Sequence, residues 1–125
     1  MRALGEALAR LAEALELDVS SHLIIRDGTI QRFEFCVELL WKTLRKFLEV
    51  EGEIVVTPRQ ALQGAYKVGW IDDEQLWLNM LKDRNLTSHT YKQDLAELIY
   101  ANIRTYYPAM HQLYELLLKR YGNPR

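Results

Sequence analysis

The sequence predicts an all-α protein, an up-and-down bundle of about five helices. Three observations carry this. Apolar residues recur at helical spacing over most of the chain. Helix start and stop signals fall between the periodic runs. The one β-branched run, Glu53 to Val56, has no second run to pair with and reads as a loop.

The first helix covers residues 2–16. Leu4, Leu8, Leu11 and Leu15 step by four, three and four, with Ala and Glu between them. Such a narrow seam suits packing in a bundle. Leu17 to Gly28 reads as a connector, and its His22 as a surface residue. Gly28 or Thr29 opens a second helix that runs to about Glu51. Phe33, Phe35, Val37, Leu39, Leu40, Trp41, Leu44, Phe47 and Leu48 cover much of its circumference. That is the pattern of a central helix touched on several sides. Gly52 is its C′ stop. Glu34 and Glu38 sit one turn apart on it and read as a solvated stripe. The sharper alternative is that one of them holds Arg84.

Thr57-Pro58-Arg59-Gln60 combines proline at the first helical position with a Thr-x-x-Gln capping box. The helix it opens ends near Val68, with Gly69 at C′ and Trp70 and Ile71 folding back. Asp72 and Asp73 cap the next helix, predicted from Gln75 to Thr87. From Lys92 onward Leu95, Ile99, Ile103, Tyr106, Met110, Leu113, Leu117 and Tyr121 keep helical spacing in one long last helix. Pro108 interrupts its hydrogen bonding and should kink it. Gly122-Asn123-Pro124-Arg125 ends it with a frayed tail. Tyr100, Tyr106, Tyr107, Tyr114 and Tyr121 read as amphipaths at the core edge, and His111 beside them as structural.

A length of 125 residues bounds the chain to one domain, 1–125. Its composition, 49% apolar, supplies a core. Sixteen basic against seventeen acidic residues give a net charge of −1, which argues against a broad nucleic-acid-binding surface but leaves room for a local pocket. The one cysteine, Cys36, lies in an apolar stretch and reads as a buried core residue. With no signal-peptide pattern and no run of membrane-spanning length, the expected location is cytoplasmic.

The polar residues concentrate in one place. Asp83-Arg84-Asn85-Leu86-Thr87-Ser88-His89-Thr90-Tyr91 brings an arginine, an amide, hydroxyls, an imidazole and a phenol together after an apolar run. These are the groups a phosphate-handling site needs: a fixed cation, hydrogen-bond donors and a group titrating near neutral pH. Arg84 falls near the centre of the face formed by Leu76, Trp77, Met80 and Leu81, so it needs a partner there. On an unbroken helix His89 points about 140° away from it. The two converge only if the helix ends between them or a second protomer supplies one. Thr90-Tyr91-Lys92-Gln93 reads as another capping box, with Thr90 as N-cap and His89 in the hinge. No Cys pair, His-x-x-x-His or glycine-rich phosphate loop accompanies the motif, so neither a metal nor a cofactor is expected. General acid–base work by His89 with Arg84 stabilising phosphoryl charge is the one site mechanism the residues support. A structural arginine with a capping histidine is the plain alternative.

Further residues extend the motif. Asp27-Gly28-Thr29-Ile30-Gln31-Arg32-Phe33-Glu34-Phe35, Glu38 to Leu44, Thr57-Pro58-Arg59, Trp77 to Leu81, and Arg84-x4-His89-x-Tyr91 with Asn85 after the arginine resemble HEPN-domain proteins. The resemblance spans about Asp27 to Pro108. It is closest to the small prokaryotic partners of minimal nucleotidyltransferases, often called nucleotidyltransferase substrate-binding proteins. It implies a helical homodimer and a metal-independent endoribonuclease toxin acting on RNA, with no DNA or membrane partner. In that picture His89 moves a proton during attack of the ribose 2′-hydroxyl, Arg84 holds the scissile phosphate, and Asn85 orients the phosphate or the histidine. The two motifs of the dimer face one another across a shared cleft. Tyr91 is the site where a cognate minimal nucleotidyltransferase antitoxin adds AMP. The resemblance also allows a non-catalytic substrate-binding subunit of a two-component nucleotidyltransferase. A helical dimerisation module with a purely structural Arg84 is the third reading.

Overall fold

A computed structural model describes residues 1–17 and 23–122. In chain order the helices are α1 (Arg2–Glu16), α2 (Leu23–Val50), α3 (Pro58–Lys67), α4 (Glu74–Leu86) and α5 (Gln93–Tyr121), with a short 3₁₀ turn (Thr87–His89) between the last two. Among the described residues there is no strand, and Glu53 to Val56 is an irregular connection. The fold is the expected all-α, up-and-down bundle.

Local chemistry sets the boundaries. Thr57 Oγ1 accepts from Gln60 N at 3.1 Å, while Gln60 Oε1 accepts from Thr57 N at 3.3 Å. This capping box satisfies amide donors that the first turn of α3 leaves free. Asp73 Oδ1 does the same for α4, accepting from Leu76 N at 3.1 Å. Gly52 and Gly69, both at φ +84°, end α2 and α3 in the left-handed conformation glycine tolerates best. Glu53 N then donates to Leu48 O, and Trp70 N to Ala65 O, which closes both ends in Schellman fashion. Trp70 and Ile71 fold back and are buried.

One apolar core joins all five helices. Leu4, Leu8 and Leu11 of α1 meet Phe33, Leu40, Leu44 and Leu48 of α2; Ile99, Ile103, Met110, Leu113 and Leu117 of α5 close over them. Each such side chain contributes about 1.5–3 kcal/mol through burial. α2 contacts each of the other four helices, as its apolar circumference predicts. Phe35 departs from that pattern and is exposed. Cys36 is fully buried. α5 is one element running through Pro108, whose ring leaves the Arg104 carbonyl without its helical donor. Gly122 caps it. His111 lies on the α5 surface with Nε2 3.5 Å from Glu115. His22 and the residues after Gly122 lie outside the described residues.

Two expected boundaries are corrected. α2 is already helical at Leu23, well before Gly28. The reason is Arg26, which is 3% exposed and reaches across to the start of α5. Its Nη1 donates to Glu97 Oε1 at 2.8 Å and its Nη2 to Gln93 Oε1 at 2.7 Å, while Nε bonds Asp27 at 3.0 Å. Glu97 is the main cause raising the Arg26 pKa. The second correction concerns Thr90, which does not cap α5. Lys92 occupies the N-cap position without a side-chain bond. Thr90 Oγ1 instead donates back to Thr87 O at 2.9 Å, and Gln93 is engaged by Arg26.

Candidate functional site: the end of α4 and the turn that follows

The last turn of α4 is fixed on two sides by adjacent residues of opposite charge. Asp83 is 8% exposed and faces α5, where Oδ2 accepts from Tyr106 Oη at 2.7 Å and Asn102 Nδ2 at 2.9 Å. A buried carboxylate needs such donors to offset lost hydration. In return, burial and then the Asp83 carboxylate push the Tyr106 phenol far above its ordinary range. Arg84 turns the other way, toward α2, with Nη2 3.6 Å from Glu38 Oε2. Glu38 also lies 3.5 Å from Lys42 Nζ, so one carboxylate stands between two cations.

This corrects the expectation that Arg84 falls near the centre of the apolar face of α4. The buried face of α4 is Trp77, Met80 and Asp83. Asp83 takes the inner position and Arg84 the flank, with 31% of its side chain exposed. The guanidinium therefore has both a partner and an open side. Glu38 is that partner, rather than part of an uncommitted solvated stripe.

The helix ends between Arg84 and His89, one of the two arrangements that the spacing left open. Thr87 is buried, and its backbone N–H and its hydroxyl both donate to Arg84 O, the hydroxyl at 2.7 Å. The chain then tightens into 3₁₀ geometry through His89, and Lys92 N bonds His89 O at 3.0 Å. Tightening changes the direction in which His89 leaves the backbone. Asn85, Ser88, His89 and Tyr91 are all exposed. The His89 and Tyr91 rings stand edge to face, 6.0 Å between centroids. Tyr91 is 71% exposed. Thus α4 presents Arg84 and Asn85, and the following turn presents His89 and Tyr91, within one continuous surface segment. A separate cleft of about 390 Å³ lies at the other end of α4, walled by Trp70, Leu76, Trp77 and Leu113 with Asp72 and Asp73 at its rim. Among the described residues, no helix is long and apolar enough to cross a membrane.

Sequence reasoning missed two positioning residues. Asp83 was legible in principle, since it follows Met80 by three residues and Trp77 by six on the apolar face. Arg26 was hidden because its segment reads as a connector.

Comparison with known proteins agrees with the resemblance read from the residues. A probable ribonuclease HepT of Haemophilus influenzae is 32% identical over 100 residues, covering 74% of this chain and 67% of that protein. A crystal structure of a protein from Thermus thermophilus matches with a TM-score of 0.86 at 37% identity, covering 91% of this chain and 98% of that one. HI0074 of Haemophilus influenzae, described as revealing the fold of a substrate binding domain of a nucleotidyltransferase, matches with a TM-score of 0.82 at 27% identity, covering 93% and 97%. The family model described as "nucleotidyltransferase substrate binding protein like" matches residues 1–119, and the chain belongs to that family.

Proposed function

We propose that this protein is a metal-independent endoribonuclease toxin, acting as a homodimer in the cytoplasm and restrained by a partner nucleotidyltransferase. The observation that carries the reading is the helix break between Arg84, held at the flank of α4, and His89, turned out on the exposed 3₁₀ turn. The similarity to a probable ribonuclease supports it. Arg84 supplies a fixed guanidinium for the scissile phosphate and the charge that develops on it. His89 takes the proton from the ribose 2′-hydroxyl, and the 2′-oxygen attacks the adjacent phosphorus. The 5′-oxygen of the next nucleotide leaves and takes up a proton returned by the His89 imidazolium, which yields a 2′,3′-cyclic phosphate and a 5′-hydroxyl end. Asn85 orients the phosphate or the imidazole. Two such segments, one from each protomer, form the cleft.

Restraint acts at Tyr91. The exposed phenol attacks the α-phosphorus of ATP in the partner's active site, releasing pyrophosphate and leaving AMP two residues from His89. That anion competes for Arg84 and obstructs RNA. The family description supports the nucleotidyltransferase partner. It also favours a second reading, a substrate-binding subunit that does not cut RNA.

The test is incubation of RNA with pure protein and chelator. Wild type cleaves and His89→Ala does not, with both giving the same circular dichroism. Nucleotide or partner binding without cleavage by wild type selects the second reading.

A further inference from the structure

The segment Trp41 to Phe47 of α2 carries Lys42, Arg45 and Lys46 and no carboxylate. All three cations are exposed, and their spacing sets them on one helix face. On a chain of net charge −1 this is a local concentration of positive charge. The stripe begins at the candidate site. Glu38, one turn before Lys42, contacts both Lys42 Nζ at 3.5 Å and Arg84 Nη2 at 3.6 Å. From Lys42 to Lys46 the helix rises about 6 Å, a step that successive phosphates of an unstacked strand can follow. One aromatic ring flanks the cations at each end: Arg45 Cζ lies 5.2 Å from the Trp41 ring centroid and Lys46 Nζ 6.0 Å from that of Phe47. The stripe borders an open groove whose other side is Ile54 and Val55, with Glu49 at its far end. Cations that track a backbone beside apolar and aromatic surface are the elements of single-strand binding.

We propose that Lys42, Arg45 and Lys46 form a track that carries the sugar–phosphate backbone of single-stranded RNA to the Arg84–His89 segment. The proposal rests on the nuclease reading and extends it from the cut phosphate to its neighbours. Glu38 marks the boundary: it keeps Arg84 and Lys42 in register, and as an anion it disfavours phosphate seated on itself. Glu49 ends the track at its outer side.

Binding of a labelled single-stranded oligoribonucleotide is measured by anisotropy across a salt series. His89→Ala serves as the parent, compared with the same chain carrying Arg45→Gln and Lys46→Gln. Each lost phosphate contact removes about 0.7 from the slope of log affinity against log salt, so the double substitution lowers the slope by about 1.4. Affinity falls at low salt and the two curves converge at high salt. In the His89-containing protein the same two substitutions weaken cleavage of the long strand and leave cleavage of a dinucleotide unchanged, because a dinucleotide does not reach the stripe. An unchanged slope overturns the track while leaving the nuclease reading intact. Loss of binding to the partner nucleotidyltransferase, with the RNA slope unchanged, assigns the stripe to that protein and likewise overturns it. Wild type that neither binds nor cuts RNA removes the nuclease reading, and the track with it.

Discussion

Arg84 and Glu38 meet across two helices at 3.6 Å, with 31% and 40% of their side chains exposed. At that exposure the pair adds at most about 1 kcal/mol to stability. Its consequence is positional: the carboxylate holds the guanidinium at the open flank of α4 while opposing any phosphate that approaches.

Glu38→Gln separates these two effects. The variant melts within about 1 kcal/mol of wild type by denaturant titration, yet binds single-stranded RNA more tightly at low salt because one opposing charge is gone. Weaker RNA binding in a fully folded variant contradicts this assignment.

The buried contact behind Arg84 behaves differently. Tyr106→Phe removes a 2.7 Å donor from the enclosed Asp83 carboxylate and leaves only Asn102. An unsatisfied buried group of this kind costs about 1–3 kcal/mol. Urea denaturation measures it, and a loss below about 0.5 kcal/mol shows that Asp83 is hydrated after all.

Arg26 joins the first turns of α2 and α5, immediately after the His89–Tyr91 turn. Arg26→Met removes charge-assisted bonds and costs about 1.5–3 kcal/mol. The loosened first turn of α5 speeds hydrogen exchange at the Ala96 amide, which otherwise bonds Lys92 O at 3.0 Å. Unchanged exchange there removes Arg26 from the positioning of the turn.

Alkaline pH bears on the core. Burial pushes the Cys36 thiol up from 9.0 to about 12. Unfolded chain loses that proton from about pH 9, whereas folded chain keeps it, so the unfolded state binds fewer protons over this window. Stability therefore falls as pH rises from 9 toward 12, by up to about 1.4 kcal/mol per pH unit from this group. Tyr106, raised by burial and by Asp83, adds to the decline above pH 10. Cys36→Ala makes the decline between about pH 9 and 10 shallower, as followed by urea denaturation; an unaltered slope contradicts the assignment.

The order and type of the helices were readable in the residues because caps and periodicity are local. Thr57 with Gln60, Asp73, Gly52 and Gly69 each act within a few residues of themselves. Errors arose where a distant partner overrode local preference. Thr90 and Gln93 have the form of a capping box, but Arg26, 67 residues from Gln93, holds that glutamine instead. The helical start of α2 before Gly28 has the same origin. In the candidate site, the helix break was expected from a Thr90 capping box that does not form, whereas the need of Arg84 for a partner follows from spacing. Which acid answers it does not, since Glu34 and Glu38 are equivalent until α2 and α4 are packed. Asp83 escaped attention for a related reason: its donors, Asn102 and Tyr106, lie 19 and 23 residues away.

The most direct test of the Arg84–His89 site uses a DNA strand containing a single ribose, incubated with chelator and pure protein. Wild type cuts once, on the 3′ side of that ribose, and leaves a 2′,3′-cyclic phosphate and a 5′-hydroxyl, while folded His89→Ala leaves the strand whole. Equal cutting by His89→Ala, or an intact strand with wild type under conditions where it binds RNA, contradicts the account.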